Sequence, residues 1–217
     1  MHRRSWSPAA AVLAIVACGN AAGGGDATAE VPAANVDPGV CAPENGPFST
    51  TIDNPYFPLT VGAVHVLEGL EGGTQKGRYQ LTVPNETVAI AGVVTRVVEK
   101  RHALEGDPPD PERAYFAQAP DGTVCIFGEE GAWQAGKEGY VPGIFMPGAP
   151  AVGMVFVMVH GPDSVETGEI THVGVPTVTP AGTFPDTVVV LEDGPSIKKY
   201  ARGVGEIYDD GLELISY

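Results

Sequence analysis

The sequence predicts an all-β fold, an antiparallel meander of about twelve short strands curled into a barrel or roll, or split into two packed layers. Three observations predict it. No stretch repeats apolar residues at i, i+3, i+4 and i+7 between a cap and a glycine stop, so no amphipathic helix is expected. Short β-branched runs recur instead, parted by Gly, Pro, Asp or Asn. Turn signals fall between the runs: Ala91-Gly92, Pro120-Asp121-Gly122 and Asp209-Asp210-Gly211. A flat sheet of that size would leave long open edges, so curling or layering is required.

The first segment lies outside the fold. Arg3 and Arg4 precede a short apolar run, Ala9 to Ala17. The run is too short for a permanent membrane span, so residues 1–17 read as a secretory signal. It ends in Ile15-Val16-Ala17-Cys18, which resembles the lipobox of bacterial lipoproteins. The resemblance implies that the Cys18 thiol carries a diacylglycerol, that the signal is cut before it, and that acyl chains anchor the domain to a membrane. An ordinary signal peptide with an incidental cysteine is the alternative. Residues 18–40 are mostly small or polar and read as a flexible tether. Residues 41–217 then form a single β-rich extracytoplasmic domain, and about 175 residues suffice for one core. No later run reaches 18 apolar residues.

The net charge of the 217-residue chain is −15. Loss of Arg3 and Arg4 with the signal makes it more negative. Such a surface repels phosphate backbones, so no nucleic-acid partner is expected. With Cys18 lipidated, Cys41 and Cys125 remain. Outside the cytoplasm they are expected to form a disulfide. That bridge closes a loop of about 85 residues and contributes on the order of 4 kcal/mol in the chain-entropy model. Two separate thiols are the alternative.

The strand runs, in order, are 63–70, 77–83, 87–90, 93–104, 113–119, 123–128, 154–160, 164–173, 175–179, 187–192, 197–201, 205–208 and 212–216. One long stretch interrupts them. Residues 129–153 are rich in Gly and Pro and carry Trp133, Tyr140, Phe145 and Met146. An aromatic loop of that length reads as a lid, a plug or a compact surface loop. Ahead of the first strand, Asn54-Pro55-Tyr56-Phe57-Pro58-Leu59 sets three large apolar side chains between two rigid prolines. They are expected to close one end of the curled sheet. The alternative is that they line the mouth of a ligand pocket.

Several stretches occur together: Gly46-Pro47-Phe48 after Cys41, Asn54 to Leu59, Thr123-Val124-Cys125-Ile126-Phe127-Gly128-Glu129, Pro142-Gly143-Ile144-Phe145-Met146-Pro147, Pro180-Ala181-Gly182-Thr183-Phe184 and Gly203-Val204-Gly205. Their set and order resemble a broad group of secreted bacterial lipoproteins of unknown function. The resemblance implies a β-rich domain anchored by lipid at the cell envelope. It carries over no catalytic residue.

Candidate site residues follow from strand alternation. In Met154 to His160, Met154, Phe156, Met158 and His160 share one face. Met158 and His160, with Met146 from the preceding loop, form a candidate copper set, since thioether and imidazole suit that ion. Plain core is the competing reading, because Met154 and Met158 lie about 13 Å apart along a straight strand. In 93–104, Arg96, Lys100 and His102 share a face with Val94, Val98 and Leu104. That face lines a polar cavity, with Arg96 on a carboxylate, or it overhangs into solvent while Glu99 pairs across strands. Phe57, Arg96, His102, Tyr115 and Trp133 are the pocket candidates. Acids cluster between Glu105 and Glu112 and at Asp209-Asp210; the first cluster lacks calcium-loop spacing, and solvated loops are the expected reading. No cofactor is implied.

The expected function is a membrane-anchored lipoprotein that holds an apolar small molecule or docks an envelope protein. A barrel-type enzyme (isomerase, cyclase or hydrolase) and a copper-handling protein are the alternatives. Fatty-acid labelling in the native host tests the anchor: the wild type takes the label and Cys18→Ser does not. A wild type without label removes the anchor.

Overall fold

The computed structural model describes residues 35–106, 108–193 and 196–217. The signal at 1–17, Cys18 and residues 18–34 of the expected tether lie outside the described residues. The strands are β1 (Val64–Glu71), β2 (Gln75–Thr82), β3 (Thr87–Ile90), β4 (Val93–Leu104), β5 (Asp110–Gln118), β6 (Val124–Glu129) and β7 (Trp133–Gln134). They continue as β8 (Gly143–Met146), β9 (Val155–His160), β10 (Val165–Thr179), β11 (Gly182–Glu192), β12 (Ser196–Ala201), β13 (Gly205–Asp209) and β14 (Leu212–Ser216). Two short 3-10 turns, Pro38–Cys41 and Pro43–Asn45, precede them, and no α-helix occurs among the described residues.

All strands belong to one antiparallel sheet of fourteen strands, in the order β7-β6-β5-β4-β2-β1-β14-β13-β12-β11-β10-β9. β3 pairs with β4, and β8 pairs with β6. The all-β meander is as the sequence predicts. Two departures have physical causes. The runs 164–173 and 175–179 are one strand, because Gly174, at φ +73°, absorbs its left-handed conformation within β10 while the register against β11 slips. The stretch 129–153 is not wholly irregular, since it supplies β7 and β8. Their short apolar segments are hidden between glycines and prolines.

The hydrogen-bonded ladder does not run round a closed barrel. It ends at β9, and β8 lies between that end and β6. The seam between β8 and β9 holds one isolated bridge, where Val141 N–H donates to His160 O at 3.0 Å. Beside it the two backbones nearly touch. A Cβ on Gly143 would stand 1.9 Å from the Met158 carbonyl oxygen, so only glycine fits there.

The segment 35–40, assigned to the tether from its composition, is pinned to this seam instead. Asn35 imitates a strand partner: its N–H donates to Val155 O, and its side-chain oxygen accepts from Val155 N–H, both at 2.9 Å. Its Nδ2 donates to Gly153 O at 2.7 Å. Val36 and Val40 pack against the core. Cys41 then joins Cys125 on β6 in a disulfide, Cα to Cα 5.6 Å, as expected from the sequence.

The aromatic stretch before β1 is a plug. Tyr56, Phe57 and Leu59 are 3 %, 2 % and 5 % exposed. Asn54 makes the bend: its side-chain oxygen accepts from the N–H of Tyr56 (2.9 Å) and of Phe57 (3.2 Å). Its Nδ2 donates to the carbonyls of Gly122 and Pro147. Phe57 thus enters a ring cluster with Phe145 (4.5 Å between centroids), Phe116 (5.4 Å) and Tyr200 (6.1 Å). These rings come from distant strands, so the plug ties opposite walls together. Phe57→Ala therefore lowers stability by about 3–5 kcal/mol, read from urea melts. A melt close to wild type would mean that the site collapses around the loss, contrary to the packing.

Candidate functional site

The most unusual feature is an ionic cluster inside the roll. On β12, Lys198 and Tyr200 face inward, while Ile197, 40 % exposed, faces out. A regular β13 would send Glu206 and Asp209 to opposite faces. A register shift prevents this: Lys198 pairs with Asp209 and Tyr200 with Glu206, so one extra residue is inserted in β13. The bulge brings both carboxylates onto the face of Lys198. Glu192, near the end of β11, is a diagonal neighbour on that face.

Lys198 Nζ lies 3.1 Å from Asp209, 3.7 Å from Glu192 and 3.8 Å from Glu206. Lys100 reaches the other Asp209 oxygen at 3.2 Å, although β2, β1 and β14 separate their strands in the sheet. Its ammonium also sits 4.2 Å from the centre of the Tyr79 ring. The Tyr79 hydroxyl donates to Glu206, and the Tyr200 hydroxyl donates to Glu192. Isolated burial of these charges would be very costly, and the mutual pairing offsets that cost.

The charges are unequal in their settings. Burial alone would raise Asp209, but Lys198 and Lys100 outweigh it and hold its carboxyl down to about 2. Glu206 is raised well above the ordinary carboxylate range by burial and by Asp209 and Asp210. Glu192 is raised by burial, only partly opposed by Lys198. A small cavity, with about 20 Å³ open to a water-sized guest, adjoins the cluster. Its polar wall is Glu129, Glu166, Glu192, Glu206 and Lys198, and Phe145, Met158 and Val159 complete it. Glu166 is pushed up to about 7 by burial, with Asp193 and Glu192 adding and Lys198 opposing. The cavity therefore holds a carboxyl that exchanges its proton near neutral pH, beside a charged lysine. That arrangement suits a small guest or proton exchange.

The structure places the pocket candidates apart. Phe57 is in the plug. Arg96 donates to the carbonyls of Thr50 and Glu86, both at 3.3 Å. His102 pairs with Glu71 at 2.7 Å. Tyr115 is half-buried on β5. Trp133 stacks on Tyr140 at 5.7 Å, and its indole N–H is buried without a hydrogen-bond partner among the described residues. None of the five borders the cavity. Of the metal candidates, Met158 borders it, Met146 is fully buried on β8 and His160 is exposed at the end of β9. Among the described residues, no three His, Cys, Asp or Glu side chains are grouped to hold a metal ion. On β4, Glu99 pairs outward across strands with Arg113 at 2.9 Å. Lys100, not Arg96 or His102, is the inward group of that strand that joins the cluster. Glu192, Lys198, Glu206 and Asp209 are not among the site residues the sequence singles out, and the only signal for them is charge within strand runs.

No family model matches the chain, and no curated protein matches it. Among solved structures, one chain is similar, described as a "putative lipoprotein" from Parabacteroides distasonis. The identity is 14 %, with 74 % of this chain and 95 % of that one covered, and the TM-score is 0.33. Likeness at that level carries no argument about function.

The signs of the shifts predict the pH profile. A carboxyl raised on folding stabilises the protonated folded state, and that contribution is lost as pH rises through the folded value. Glu166 therefore costs stability between its ordinary 4.5 and about 7, and Glu192 and Glu206 act in the same direction. Asp209 acts oppositely: its contribution is present above the ordinary carboxylate range and is lost as pH falls toward about 2. Thermal melts should peak near pH 4–5, about the ordinary carboxylate range, and fall toward neutrality, with Glu166→Gln flattening that fall. Lys198→Met, which removes the cation that faces Asp209, Glu192 and Glu206, should cost about 3–5 kcal/mol at neutral pH. A flat profile in the wild type would contradict the charge assignment.

Proposed function

We propose that the protein is a lipid-anchored extracytoplasmic domain that acts by docking a partner at the cell envelope. One observation carries the preference for docking over enclosure of an apolar molecule: the interior is filled by the protein's own side chains. Phe57, Phe116, Phe145 and Tyr200 occupy the middle of the roll. The remaining space is small, and Phe145, Met158 and Val159 wall it together with four glutamates and a lysine. Placement outside the cytoplasm is supported by the resemblance of Ile15 to Cys18 to a lipobox and by the buried Cys41–Cys125 disulfide, which persists in oxidising compartments.

A second reading, an enzyme working at the polar cavity, is favoured by Glu166 and Lys198. A carboxyl tuned to neutrality in a cavity is a frequent mark of proton-transfer sites. Native mass spectrometry of protein extracted from its own envelope separates the two. The docking reading expects acylated protein with no small-molecule mass shift, and a discrete cross-linked envelope complex in cells. A stoichiometric apolar adduct would overturn it. A small polar adduct lost in Glu166→Gln would favour the enzyme.

A further inference from the structure

The segment Asn35–Cys41 crosses the place where the sheet fails to close. Its first residue is bonded to the start of β9, through Asn35 and Val36 to Val155. Its middle, the 3-10 turn Pro38–Cys41, packs on β8. Its last residue is covalently tied to β6 through Cys125. It therefore spans β9, β8 and β6 in turn. β9 is one end of the sheet, and β8, paired to β6, is the edge that faces it across the seam. Inside the segment the bonds are local and self-sufficient: the Asp37 carboxylate accepts from Gly39 N–H at 2.8 Å, and Asn45 Nδ2 donates to Gly39 O at 2.7 Å.

We propose that this segment is a strap, and that oxidation of Cys41 and Cys125 is what locks the roll shut. Without the strap, β8 and β9 are joined by the single bridge at Val141 and His160, and two strand edges face each other across the seam. The thiols supply the lock. Their oxidation to the disulfide releases two electrons and two protons to a thiol oxidant of the compartment. A chain that folds before oxidation has its sheet but an open seam, and closure follows when the bridge forms. Both half-cystines are 0 % exposed, so once made the lock is reached by a reductant only after local opening. The Asn35 contacts form the outer end of the strap. A pull from the N-terminal side loads them first and is stopped at Cys41 by the covalent tie to β6.

Hydrogen exchange on the purified domain tests this, in any compartment of origin. Three samples are compared with the oxidised wild type: wild type reduced by a phosphine, Cys41→Ser/Cys125→Ser, and Asn35→Ala with the disulfide intact. The strap predicts exchange faster by about tenfold or more in residues 141–146 and 155–160 in all three samples. β1, β2 and β14, on the far side of the sheet, should keep wild-type protection. Asn35→Ala, which leaves the covalent bond, should open the β9 side more than the β6 side. Unchanged exchange at the seam overturns the proposal. So does a uniform rise over every strand, or failure of the reduced chain to fold, since the bridge would then hold the whole fold and not its seam.

Discussion

The rest of the structure depends on one constraint: a fourteen-strand antiparallel sheet must curl, and its two ends must then be held where main-chain pairing does not hold them. Between β8 and β9 the ladder provides one bridge. What holds the ends is assembled from outside the regular strands. Gly143 lets two backbones approach, Asn35 substitutes for a missing strand partner, and Cys41 reaches β6 covalently. The plug at Asn54–Leu59 does the same work at another level, because its contacts run to the Gly122 turn, to Pro147 and, through Phe57, to Tyr200 on β12.

Curling also decides the chemistry of the interior. A roll of this size brings β4 and β13 face to face, and the groups that meet there are charged. Lys100 and Asp209 are buried together from strands that are not neighbours. Burial is what lifts the carboxyls that border the cavity, and the neighbouring acids, which outnumber the two lysines, add to it. Such a cluster stabilises less than apolar packing of the same volume, but it tolerates few alternative registers. A one-residue slip of β13 would send Glu206 and Asp209 to the outer face and leave Lys198 with Glu192 alone. The cluster thus specifies the register of the strands that form it.

How much of this was readable in advance differs from element to element. The bounds of β3, β4 and β14 agree with runs of β-branched residues bounded by turns. β8 is not legible as a strand, because four residues set between Pro142 and Pro147 carry no period long enough to recognise. On β4 the inward polar face was readable, but not its working residue. Arg96, Lys100 and His102 share that face in any strand, and only their height along it differs. Arg96 stands at the level of the Thr50 and Glu86 carbonyls, Lys100 at that of Asp209, and His102 at that of Glu71. Asp209 and Asp210 look alike in a turn signal. Asp210 takes the turn, at φ +44°, and accepts from Ile197 N–H, whereas Asp209 goes inside.

The sequence by itself determined the antiparallel all-β class, the places of most turns and the pair of cysteines available to bridge. Each rests on local chemistry: side-chain alternation with period two, the backbone freedom of Gly and Asp in turns, and the redox behaviour of thiols. Only the tertiary structure decided which ends of the sheet meet, that residues 35–40 cross that junction, and that five ionisable groups from four strands share one buried site. Those outcomes depend on register and bulges summed over the whole sheet. A single inserted residue in β13 reverses which side chains are inside, and no local pattern records it.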